Sequence, residues 1–213
     1  MGEGCAPLPM PLRWQSGRPY RRGVLLLVRH GETAPNVDGL LLGRADPPLT
    51  ERGQAQARAL AAAVPVPELV VSSPLRRAVD TAAAFGAPAQ VDERWIELDY
   101  GDLDGRHPAA VPGDVWARWR TDASFAPPGG ESLSSLGRRV RAACDALAEP
   151  AAEAVVVVVT HVSPIKAALS WALGCGELVA WRMYVEDACI TRIDIEAGGP
   201  VLRWFNRGPL TAP

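Results

Sequence analysis

The chain predicts a three-layer α/β/α sandwich whose sheet is mostly parallel and closes on an antiparallel edge. Two short apolar runs, Val24-Leu25-Leu26-Leu27-Val28 and Val155-Val156-Val157-Val158-Val159, read as central parallel strands buried on both faces. Helix-forming segments alternate with such runs along the chain, the pattern that builds helices onto both faces of one sheet. Near the end, residues 189–195 and 201–205 alternate like the strands of a hairpin across Ala197-Gly198-Gly199-Pro200.

The elements follow in order. Residues 1–22 hold Pro, Gly and Arg without an apolar stretch, so they read as a flexible N-terminal extension rather than a signal peptide. The main domain is expected over 23–213. Thr50 is a good N-cap, and the Ala/Gln/Arg-rich stretch 51–64 reads as a helix stopped by Pro65 and Pro67. Residues 69–72 form a short strand. Pro74 suits a first helical turn, and 75–85 continues as a helix that stops at Gly86. Residues 89–91 are a weak strand. His107-Pro108, Pro112-Gly113 and Pro127-Pro128-Gly129-Gly130 bracket a short helix at 114–121, which suggests a lid-like insertion around 102–130. Ser132 caps a helix to Ala148, and after the valine strand a last helix covers 163–173.

Composition narrows the class. At 213 residues the chain can bury a core without staples, and 48% hydrophobic with 22% charged residues is ordinary for a globular enzyme. A formal net charge of −2 argues against a nucleic-acid partner. No run reaches the length of a membrane span. Cys5, Cys144, Cys175 and Cys189 show no Cys-x-x-Cys spacing and no paired histidines, so no metal site is expected and the thiols read as reduced, in a cytoplasmic protein. Lys166 is the only lysine; arginine is the default cation here, and each arginine must be judged by its position.

The chemistry concentrates at strand tips. Of three histidines, two follow the two best strands directly, His30 in Arg29-His30-Gly31-Glu32-Thr33 and His161 after Thr160. In an open α/β sheet ligands bind beyond the carboxyl ends of strands, so both histidines are delivered to a crevice. A lone histidine there would more often cap its strand on a loop carbonyl. Two such placements favour a reactive site. Ser72-Ser73-Pro74-Leu75-Arg76-Arg77-Ala78 with Thr81, and Glu97 to Gly101, complete the set.

In this order the four segments resemble the histidine phosphatase superfamily, the phosphoglycerate-mutase-like proteins, from about Gly23 to Phe205. The resemblance implies a phosphoglycerate-mutase-like fold and a phosphomonoester hydrolase. It makes His30 the nucleophile that becomes phosphohistidine, Arg29 and Arg77 the phosphate-binding arginines, Glu97 the acid that protonates the leaving oxygen, and His161 a second phosphate contact. Arg77 is preferred to Arg76 because it precedes the matching alanine. Asp99 and Asp102 are rivals for the role of Glu97. Glu32 and Thr33 read as braces, Asn36 as a phosphate donor or a turn residue after Pro35, Ser132 as an N-cap, and His107 as an exposed bystander.

The physics fits those roles. Guanidinium forks can hold the equatorial oxygens of a phosphoryl group in flight. Cations beside His30 oppose its protonation and keep a lone pair for attack. One departure stands out: Val162 follows His161 where many relatives have glycine, which narrows the backbone around the phosphate. Ser163 and Pro164 still open a helix whose N-terminus favours an anion. The stretch His161-Val162-Ser163-Pro164-Ile165-Lys166 resembles a bacterial subgroup of α-ribazole phosphatases and broad acid phosphatases, which points to a small phosphorylated metabolite such as α-ribazole 5′-phosphate. The chain is shorter than typical cofactor-dependent mutases, so hydrolysis is favoured over transfer. No cofactor is expected. Trp116 and Trp119, with Arg118 and Arg120, either pack the core or grip a ring or second anion. A catalytically silent phospholigand-binding protein and a flavodoxin-like module are the other readings, and a homodimer stays open.

Overall fold

The computed structural model describes residues 23–209. The expected extension at 1–22 lies outside the described residues. Six strands form one sheet in the order β3-β2-β4-β1-β5-β6, with β1 at Val24–Arg29, β2 at Leu69–Ser72, β3 at Gln90–Val91, β4 at Val155–Thr160, β5 at Ile190–Glu196 and β6 at Gly199–Arg207. β1 to β4 run parallel to one another, while β5 runs antiparallel to β1 and β6 antiparallel to β5. The expected sandwich with its antiparallel edge is the fold observed.

Helices cover both faces because the central strands are apolar on both. Leu25, Leu27, Val156 and Val158 pack under α5 (Leu133–Glu153) and α6 (Val162–Leu173). Val24, Leu26, Val28, Val155 and Val157 turn to the opposite side, where α2 (Glu51–Ala62) and α3 (Arg76–Ala82) supply Leu60, Ala78 and Ala82. After β1 the chain passes to α2 on one face, and after β4 it passes to α6 on the other. A crevice opens between adjacent strands whose connections leave in opposite directions.

The caps are where the sequence put them: Thr50 accepts from Gly53 N at 2.9 Å, Ser132 accepts from Ser135 N at 3.2 Å, and Gly86 ends its helical stretch at φ 76°. Several boundaries differ, and one short helix was not expected. α2 stops at Ala62, before the prolines. α5 runs on to Glu153 through Pro150, whose missing N–H falls in the last turn, where Ala151 is fully buried. The hairpin turns on Ala197 and Gly198 alone, so β6 begins at Gly199. A short α1 (Ala34–Val37) follows the His30 loop.

Segment 101–130 holds short turns and α4 (Gly113–Thr121), and it is fastened to loop 40–45. The Asp104 carboxylate accepts from the backbone N–H groups of Gly43, Arg44 and Ala45 at 2.7, 2.8 and 2.9 Å. Trp119, 1% exposed, stacks on Trp116 at 5.5 Å and meets Trp181 edge-on at 5.6 Å, so this pair packs the core. Arg118 and Arg120 lie over the rings of Phe125 and Trp116. Gly101 is needed for two reasons: it adopts φ 54°, and a side chain there would run into the backbone of Pro128.

Candidate active site

β1 and β4 pair in register, Arg29 opposite Thr160, so the next residues, His30 and His161, emerge side by side. The backbone N–H of His30 donates to Thr160 O at 3.0 Å, and the two imidazole centroids lie 5.0 Å apart. Gly31 lets the chain turn tightly here, because a Cβ would strike the backbone of Gly53 at the start of α2. Its N–H donates to Thr81 Oγ1 at 3.0 Å, and Thr81 donates to Arg77 O at 2.7 Å. The His30 loop and α3 are thus one unit.

The tautomer of His30 follows from its partners. Nδ1 lies 2.7 Å from Gly31 O, a pure acceptor, so Nδ1 carries the proton. Arg77 Nε donates to Nε2 at 3.3 Å, so Nε2 presents its lone pair. Burial holds the His30 pKa well below the usual histidine range, and the charges of Arg77 and Arg29 push the same way, against the Gly31 carbonyl. His161 is depressed for like reasons, burial first and then Arg77. Its Nε2 lies 2.7 Å from Ser73 Oγ, while its Nδ1 is buried without a partner among the described residues. Both rings are neutral near pH 7.

The cations are held from behind. Arg77, with no exposed surface, donates to Ala45 O at 2.6 Å and Gly43 O at 2.8 Å besides His30. Arg76 points outward to Asp80, an exposed pair one helical turn away. Arg29 donates to Val185 O at 2.7 Å and pairs with Asp187 at 2.6 Å, leaving its buried Nε without a partner among the described residues. Each guanidinium keeps N–H groups to offer an anion.

Glu97 is 3% exposed and accepts from Leu98 N at 2.7 Å and Ser163 N at 3.2 Å. Arg139 fixes its backbone, donating to the carbonyls of Arg94, Ile96 and Glu97 while clasped by Glu131. Of its rivals, Asp99 caps Gly101 N at 2.9 Å, and Asp102 is exposed.

A cleft of about 100 Å³ opens above His30. Arg29, His30, Asn36, Glu97 and Val162 line it, together with Leu40, Leu41, Leu42 and Tyr100. Arg77 and His161 belong to the same cluster, Arg77 through its bond to His30 and His161 through its ring beside that of His30. Asn36 Oδ1 accepts from Thr33 N and Oγ1 at 3.1 and 2.7 Å, so the residue braces the turn while lining the cleft. Glu32 braces the same loop through Thr50 and Arg52. His107 is exposed and caps a turn. The clamps on Arg29, the Ser73 contact, Arg139 and the leucine wall were not singled out in the sequence. Among the described residues no group of His, Cys, Asp or Glu is arranged to hold a metal ion, and no helix is long and apolar enough to cross a membrane.

This fold and this cluster define an α/β protein with a histidine- and arginine-built anion cleft at its switch point. The chain belongs to the histidine phosphatase superfamily (branch 1), which it matches over residues 25–208. It is 37% identical over 193 residues to a bifunctional protein of Mycobacterium tuberculosis, covering 86% of this chain and 52% of that one. The chain therefore spans about half the length of the mycobacterial relatives it matches first. It is 34% identical over 187 residues to the 2,3-bisphosphoglycerate-dependent phosphoglycerate mutase of Thermoplasma acidophilum, covering 82% and 88% of the two chains. The solved α-ribazole phosphatase of Shigella flexneri superposes with a TM-score of 0.76 at 29% identity, over 89% of this chain and 99% of that one.

Proposed function

We propose that the chain hydrolyses phosphomonoesters of small metabolites through a phosphohistidine at His30. The observation that carries this reading is the His30 ring itself, fixed by Gly31 with its Nε2 lone pair presented among arginines and held neutral by burial. In the first step Nε2 attacks phosphorus, the P–O bond to the alcohol breaks, and Glu97 supplies the proton that the leaving oxygen takes. Arg29, Arg77, Asn36, His161 and the start of α6 at Val162 hold the phosphoryl oxygens. In the second step water, deprotonated by Glu97, takes the phosphoryl group and frees His30. The reaction needs no cofactor and no metal, because the arginines supply the positive charge. Segment 102–130 covers the cleft as a lid through its attachment to loop 40–45, and three of the cysteines are free thiols, in keeping with a cytoplasmic protein.

The relative among the mutases favours a second reading, transfer of the phosphoryl group to a second acceptor. A panel of phosphomonoesters assayed by released phosphate separates the two. Hydrolysis releases phosphate without any bisphosphorylated cofactor, and exhaustive chelation leaves the rate unchanged. His30→Ala should lower the rate by at least about 10⁴-fold, and the wild-type intermediate should be labile in acid and stable in base. Near-normal turnover in His30→Ala, or a rate restored only by added Mg²⁺ or Zn²⁺, overturns the reading.

A further inference from the structure

The phosphate end of the cleft is charged, but the end that must receive the rest of the substrate is not. Leu40, Leu41, Leu42 and Tyr100 form that wall. Tyr100 has its hydroxyl 3.4 Å from Ser163 Oγ and its ring edge-on to Trp119 at 5.7 Å, so it brings an aromatic ring to the cleft. Four arginines of the neighbouring segments are engaged by other partners. Arg118 and Arg120 lie over aromatic rings, and Arg44 and Arg139 converge on Glu131 at 3.6 and 2.8 Å. Lys166, one helical turn beyond Val162, is half-buried and does not line the cleft. Arg106 is exposed and offers Leu41 only its backbone carbonyl.

We infer that the substrate carries a single phosphate on an uncharged, largely apolar or aromatic alcohol, and that esters bearing a carboxylate or a second phosphate are disfavoured. This rests on the proposed hydrolase reading and sharpens it. An anionic leaving group would bring its charge against leucines with no partner, which costs the desolvation of that charge, while a ring would replace water on the wall. The same feature disfavours mutase chemistry on phosphoglycerates.

The test compares primary alkyl esters, whose alkoxides leave with similar difficulty: 2-phenylethyl phosphate against O-phosphoserine and 3-phosphoglycerate. Wild-type kcat/KM should be at least about tenfold higher for the phenylethyl ester, and Leu40→Arg should narrow or reverse the ratio. Equal or reversed preference in the wild type overturns the inference while hydrolysis of p-nitrophenyl phosphate leaves the hydrolase reading standing. If no ester is turned over, the hydrolase reading fails, and calorimetric titration of the same three esters then decides the inference: tighter binding of the phenylethyl ester supports it and the opposite order ends it.

Discussion

The two ends of the cleft are built on opposite principles. At the phosphate end almost every polar atom is tied: His30 to Gly31, His161 to Ser73, Arg77 to two carbonyls, and Arg29 to Val185 and Asp187. At the other end the wall is leucine and a tyrosine ring, half-buried and fixed by packing. The difference separates two tasks. Stabilising charge in transit demands groups that cannot move, since preorganised dipoles cost no reorganisation at the moment of reaction. Accepting a leaving group demands only a surface of the right polarity.

The largest expected effect breaks that comparison at its seam, where Glu97 belongs to both ends. A nitrophenolate leaves without a proton, whereas an alkoxide does not. Glu97→Gln should cost about 10²- to 10⁴-fold on an alkyl phosphate and far less on p-nitrophenyl phosphate. Equal losses on both esters would make Glu97 a structural residue and shift attention to Asp99.

The phosphate end was largely legible in the sequence. Two apolar runs each ending in a histidine are a local signal, and parallel register makes strand tips neighbours whatever lies between them. Arg77 was separable from Arg76 by the alanine that follows, and the structure buries Arg77 completely while leaving Arg76 at the surface beside Asp80. The leaving-group end was not legible. Leu40 to Leu42 lie in a loop without periodicity, and what makes them a wall is the Asp104 clasp from some sixty positions away. The clamps on Arg29 and the Arg139 bonds to the Glu97 segment likewise join residues far apart in sequence. The helix expected to end at Ala148 runs on through Pro150 to Glu153, and the burial of Ala151 holds that last turn in place.

A second expectation sharpens the claim that the phosphate end runs on neutral histidines. Because His30 and His161 have folded-state pKa values below those of the unfolded chain, the unfolded state binds more protons once the pH falls below about 6.5. Stability is then fully present above that pH and lost as pH falls, by up to about 1.4 kcal/mol per pH unit for each histidine. Urea midpoints measured from pH 7.5 to 5 should decline on the acid side, and the decline should be shallower in His30→Gln. Activity should show its acid limb below the usual histidine range. A limb centred at or above 6.5, or a midpoint that rises on acidification, would mean that the rings are charged in the folded protein.

The smallest expected effect is at Tyr100, and it tests whether the apolar end is apolar in function. Burial, with the nearby Glu97 charge, raises the Tyr100 pKa far above the ordinary phenol value, so the hydroxyl keeps its proton at any pH of interest. That makes it a rival proton donor to Glu97, since both line the cleft. The Ser163 Oγ contact at 3.4 Å opposes the rivalry, because it gives the hydroxyl a partner other than a leaving oxygen. Tyr100→Phe keeps the ring and removes only that weak hydrogen bond, so kcat/KM should stay within about threefold on alkyl and nitrophenyl esters alike, a weak neutral bond contributing at most about 1 kcal/mol. A loss of about 10²-fold confined to the alkyl ester would identify Tyr100 as the proton donor, leave Glu97 as its partner, and place polar chemistry at the end of the cleft assigned here to packing alone.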